Sequence, residues 1–162
     1  MPPVSVEVLV FGADDGGLHY DSRCADVATR SPDEVAAALA GDPLTLLHST
    51  SWRYTGGQVV LTYAAVLDGR PGPGARVLPE HGIARSPDPR VPSPPHVCPD
   101  AVATHAARHL AWLRATDPVA GAALATVPPV HDALDRHVPD LAGSISPESS
   151  ISPESNEHHV FI

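Results

Sequence analysis

The chain has 162 residues, 43% hydrophobic, 18% charged and only 4% aromatic, with a formal net charge of −9. That is enough chain for one domain with its own core and too little for two. All 10 basic residues are Arg and they are scattered, so no basic face is offered to a phosphate backbone, and a nucleic-acid partner is excluded as a reading.

No apolar run approaches the roughly 20 residues of a membrane-spanning helix, so no membrane partner is expected. The opening residues lack the basic stretch and solid apolar block of a secretory signal. Cys24 and Cys98 are too few and too far apart for a disulfide framework. A reduced, cytoplasmic protein with two buried structural thiols is the expectation.

Residues 4–11, VSVEVLVF, put Val4, Val6, Val8 and Val10 on one side of an extended chain, with Ser5, Glu7, Leu9 and Phe11 on the other. This alternation predicts a first strand. GADDGG at 12–17 is turn chemistry without the spaced ligands and closing Glu of a calcium loop, and 18–24 reads as a short returning strand. Ser31-Pro32-Asp33-Glu34 has the form of a capping box with Pro in the first turn, so a helix runs through Ala40 and stops at Gly41.

Residues 44–67, LTLLHSTSWRYTGGQVVLTYAAVL, are two β-patterned runs around Gly56-Gly57, which predicts a hairpin central to the sheet. A two-residue turn pairs Tyr54 with Val59, Trp52 with Leu61, Thr50 with Tyr63 and His48 with Ala65. One face is then aromatic and aliphatic, and the long helix described below is expected to dock on it. Arg53, Ser51, Ser49 and Leu47 oppose Val60, Thr62, Ala64 and Val66, making the other face small and hydroxyl-rich.

A Pro- and Gly-rich loop follows over 69–97, in which only 76–78 or 82–84 has strand character, and its end at 86–95 favours an extended polyproline-like path. The longest helix is predicted over Pro99–Thr116, with Val102, Ala106, His109, Leu110 and Leu113 on one stripe and His105 and Trp112 at its edge. Asp117-Pro118 caps a helix over 119–125, and 129–137 reads as a last short helix. Residues 144–149 and 150–155 repeat the hexapeptide SISPES, in a segment that holds the chain's only Asn and three of its four Ile residues. The expected organisation is a single domain over 1–143 and a disordered or extraneous tail over 144–162. Its fold class is α+β: a small, mainly antiparallel sheet of three to four strands with helices packed on one face.

Two constellations carry candidate chemistry. His105 and His109 stand at i and i+4, the spacing that lets two imidazoles share a metal, and His48 on the hairpin is the natural third ligand for zinc or another divalent transition metal. The Glu of an HExxH site is replaced by Ala106, and a His inside an apolar stripe is more simply a hydrogen-bonded core residue. The second constellation is a binding strip of Ser51, Arg53 and Thr62, with Trp52 beside it, where Arg53 is able to fork onto a carboxylate or phosphate. Its plain alternative is a solvated face with hydroxyls paired across the strands.

No complete catalytic set occurs, so the sequence points to binding without a cofactor. The occupant is a protein partner, a second copy of the chain included, or a small ligand. The other reading is a metal-dependent hydrolase using His48, His105 and His109. The runs LLHSTSWRYTGGQVVLTYAAVLD and HAARHLAWL resemble an uncharacterised family of small proteins encoded in GC-rich bacterial genomes. That resemblance implies that hairpin and His-bearing helix belong together, and implies nothing about a reaction.

Overall fold

The structure is a computed structural model that describes residues 1–79, 86–91 and 96–140. The strand character at 82–84, the end of the Pro-rich path and the expected tail at 144–162 lie outside the described residues. Among the described residues no helix is long and apolar enough to cross a membrane.

Strand β1 (Val4–Asp14) forms an antiparallel hairpin with β2 (Gly17–Asp26). The turn is shorter than the 12–17 stretch suggested, because Gly12 and Ala13 remain in the strand. Ala13 donates its N–H to the Gly69 carbonyl at 2.8 Å. A Cβ on Gly12 would lie 2.5 Å from the Arg70 carbonyl, so this glycine admits the returning loop.

Helix α1 (Pro32–Ala40) starts on the predicted capping box: Ser31 Oγ accepts from the Glu34 amide at 3.2 Å and Glu34 Oε2 from the Ser31 amide at 2.9 Å. It ends on Gly41 at φ 90°. Strands β3 (Leu46–Thr55) and β4 (Gln58–Val66) make the predicted hairpin, and β5 (Arg76–Val77) is a two-residue addition beside β2.

The sheet is five-stranded and mixed, in the order β3-β4-β1-β2-β5, where three to four strands were expected. The chain passes along α1 from β2 to the far side of β1, and β4 then returns parallel to β1 while the other pairings are antiparallel. The hairpin is therefore not central: β1 is, and among the described residues β3 is an edge.

Helices α2 (Pro99–Thr116), α3 (Pro118–Ala125) and α4 (Pro128–Ala133), with a 3₁₀ turn over Leu134–Arg136, cover one face. There Leu9, Phe11, Ala64 and Val66 meet Ala106, Leu110, Leu124 and Val130. Helix α1 lies on the opposite face, where Val6, Val8, Val10, Tyr63 and Ala65 meet Val35, Ala36 and Ala40. The expectation of helices on one face is thus corrected. Central β1 is apolar on both sides, and each side needs its own cover.

Tyrosines tie the layers together. Tyr63 donates its hydroxyl to Asp33 Oδ1 at 2.5 Å, fastening α1, and burial followed by that bond pushes its pKa up to about 12. Tyr20 on β2 donates to Asp100 in the first turn of α2 and accepts from Arg76 Nη2 at 2.7 Å. Its pKa is also pushed up to about 12, first by burial and then by the bond to Asp100.

Candidate functional site at the hairpin end of the sheet

The hairpin keeps the predicted two-residue turn and the predicted pairs from Tyr54↔Val59 to Ser51↔Thr62, then slips. A bulge between Ser49 and Ser51 leaves Thr50 extra, so that Ser49 faces Tyr63, His48 faces Ala64 and Leu47 faces Ala65. Thr50 Oγ1 donates to the Thr62 carbonyl at 3.2 Å and secures the bulge. Side chains alternate with period two, so every β3 residue before the bulge changes face.

The expected docking is corrected as well, by which sheet face each helix covers. Trp52 and Tyr54 lie on the α1 side of the sheet, not under α2, and are 68% and 60% exposed. Helix α2 packs on the opposite face, the one expected to be hydroxyl-rich. The bulge nevertheless carries His48 onto that face, and its ring centroid stands 5.2 Å from that of His109.

His48 donates from Nδ1 to the Ser49 carbonyl at 2.8 Å, and Trp112 flanks His109 with ring centroids 5.9 Å apart. His109 is buried, and desolvation, with a smaller contribution from neighbouring His48, holds its pKa below the ordinary imidazole value. His105, one turn earlier on α2, is partly buried. Among the described residues no group of three or more His, Cys, Asp or Glu side chains is placed to hold a metal ion, so His48, His105 and His109 do not assemble as the three-ligand set. Cys24 and Cys98, expected to be buried, are both exposed.

Below the α2 core, on the same sheet face, the polar strip comes together around a residue that the sequence reading did not single out. Glu7 lies in the strand pattern on the side of Leu9 and Phe11 and is only 8% exposed. Its Oε2 accepts from Arg53 Nη1 at 2.7 Å and from the Thr62 hydroxyl at 3.3 Å, and its Oε1 accepts from Ser22 Oγ at 3.1 Å. Arg53 Nη1 also donates to Thr62 Oγ1 at 3.0 Å. A buried carboxylate must be neutralised and hydrogen-bonded, and these donors do both.

Of the predicted strip, Arg53 and Thr62 therefore join at Glu7, while Ser51 stands directly across from Thr62. Trp52 is on the other side of the sheet. An acid inside an otherwise apolar strand was the available signal for Glu7, since such a group requires a cation. Beside this cluster opens a cleft of about 420 Å³ whose lining includes Ser5, Asp26, Arg53, Thr55, Gln58 and Val60.

The hairpin end of the sheet thus has two unlike surfaces, an exposed aromatic pair on one face and a polar cleft on the other. Compared with protein-family models, with curated proteins and with solved structures, the chain finds no match in any of the three.

Proposed function

We propose that this chain is a protein-binding module that takes an extended segment of a partner chain along β3, anchored on Trp52 and Tyr54. The observation that carries the reading is the exposure of these two aromatics, side by side at i and i+2 on a strand that has a sheet neighbour on one side only among the described residues. They stand opposite Leu61 and Val59, which extends the apolar strip onto β4.

An edge strand offers unpaired backbone groups to an incoming strand, and proteins usually blunt such edges with charge or proline. β3 contains no proline, and its single formally charged side chain, Arg53, is turned to Glu7 on the other face. Trp and Tyr are the residues most enriched among binding hot spots. Burying two-thirds of each ring would remove roughly 150 Å² per residue from water. The partner segment is apolar and basic, because the chain it meets carries a net charge of −9. That charge also opposes pairing of two identical chains.

The test is selection of extended peptides from a displayed random library against the folded chain. Apolar and basic peptides should be enriched, and Trp52→Ala/Tyr54→Ala should weaken them at least about 30-fold, the effect of one lost hot spot. Peptides that bind the double variant as well as the parent would refute the proposal. A concentration-dependent dimer in sedimentation, abolished by the double variant, would instead identify a second copy as the occupant.

A further inference from the structure

The polar cleft lies on the sheet face opposite Trp52 and Tyr54, and the proposed protein contact makes no use of it. One row of residues runs straight across four strands beneath it: Arg53 on β3 pairs with Val60 on β4, Val60 with Ser5 on β1, and Ser5 with Asp26 on β2. At the usual strand spacing the ends of this row are about 14 Å apart at Cα. Val60 and Ser5, 6% and 7% exposed, form a closed floor between them.

The two ends differ in charge and in commitment. Arg53 uses Nη1 for both Glu7 and Thr62, and its Nε and Nη2 donors make no hydrogen bond among the described residues. Asp26 is exposed, and its carboxylate makes no hydrogen bond or ion pair among the described residues. Glu7 already neutralises Arg53, so the row carries one uncompensated negative charge, at Asp26. Thr55 and Gln58, at the mouth of the hairpin turn, add neutral donors and acceptors to the wall.

We infer that this cleft binds a small zwitterion, its ammonium on Asp26, its carboxylate on the remaining N–H edge of Arg53, and its middle on Val60 and Ser5. An anion alone would face Asp26 with nothing to satisfy it, and an amine alone would leave the guanidinium edge unused. The volume is within the range of small-molecule sites, which runs from about 300 to 1,000 Å³. The ammonium meets the uncompensated carboxylate of Asp26 and the carboxylate meets the unused N–H donors of Arg53, both carried on strands of one sheet, so the ligand's length is selected by the distance between them.

The experiment is an amide-resolved NMR titration of the full chain with a series of ω-amino acids, from glycine to 8-aminooctanoate. One length should give saturable shifts at Ser5, Asp26 and Val60. The straight-chain amine and the straight-chain carboxylate of matching length should each bind at least about 10-fold more weakly, the usual effect of losing one charged contact. Asp26→Asn, a change at an exposed side chain, should weaken binding by a similar factor with the spectrum otherwise preserved. Trp52→Ala/Tyr54→Ala should titrate like the parent, which separates this site from the protein contact. The inference is overturned if no length saturates, if the amine alone binds as well as the amino acid, or if Asp26→Asn leaves the titration unchanged.

Discussion

The Glu7–Arg53 pair is the energetic hinge of the candidate site, and a double-mutant cycle measures it. Arg53→Met removes the cation and both N–H bonds while keeping a long apolar stem against the sheet. Breaking a fully buried ion pair costs about 3–5 kcal/mol. Here the Arg53 and Glu7 side chains are 25% and 10% exposed, and the neighbouring cleft admits water. A loss of about 2–3 kcal/mol is therefore expected, with Ser22 and Thr62 left to solvate the carboxylate. Glu7→Gln keeps the shape and removes the charge, leaving Arg53 to turn toward the cleft at a cost of about 1–2 kcal/mol. The double variant has no buried charge, so its loss should fall short of the sum by about 1–2 kcal/mol. Urea unfolding near neutral pH, followed by far-ultraviolet circular dichroism, reads all three differences, provided that the m-values agree. Single losses that add to within about 0.3–0.5 kcal/mol would show the two residues to be independent and would refute the pairing as the determinant of this site.

Gly69 sits at φ +83°, where an added Cβ would lie 2.1 Å from Val127 Cγ1, whereas Gly56 at φ +58° has open space around it. Gly69→Ala should cost about 3 kcal/mol or more and Gly56→Ala about 1, because only the first adds a clash to the left-handed backbone penalty; equal shifts in thermal melting would disprove the packing at Gly69. His109 has its folded-state pKa lowered from 6.5, so the neutral ring is the form that the fold favours. Its contribution is complete above that value and is lost as pH falls below it toward the depressed value, at up to about 1.4 kcal/mol per pH unit; denaturant titrations of His109→Leu should show a flatter pH profile between neutrality and pH ~5. Ser31→Ala should destabilise by about 1 kcal/mol through loss of the α1 cap, and a change under a few tenths in urea titration would show the capping box to be dispensable.

Much of the local architecture was legible because it rests on interactions within a few residues. The capping box at Ser31 and Glu34, the Gly41 stop, the bounds of α2 and its buried stripe, and the tight turn at Gly56-Gly57 all appear as read. The five-strand order was not legible, because the pairing of β1 with β4 joins segments more than forty residues apart and has no local signature. Arg53 and Thr62 share a face in the hairpin pattern, which is enough to read them as one strip. Glu7, which holds them, comes from the other end of that long-range pairing.

The bulge at Thr50 separates the two kinds of information most sharply. From the sequence alone the hairpin, its turn and the alternation of its faces are determined, since turn chemistry and a period of two are properties of neighbouring residues. Which face each residue before Thr50 occupies was decided only by the tertiary structure. One extra residue reverses the alternation, so that Leu46 joins the core under α2 and Leu47 the core under α1. The same residue brings His48 to His109 while Trp52 and Tyr54 stay exposed on the opposite face.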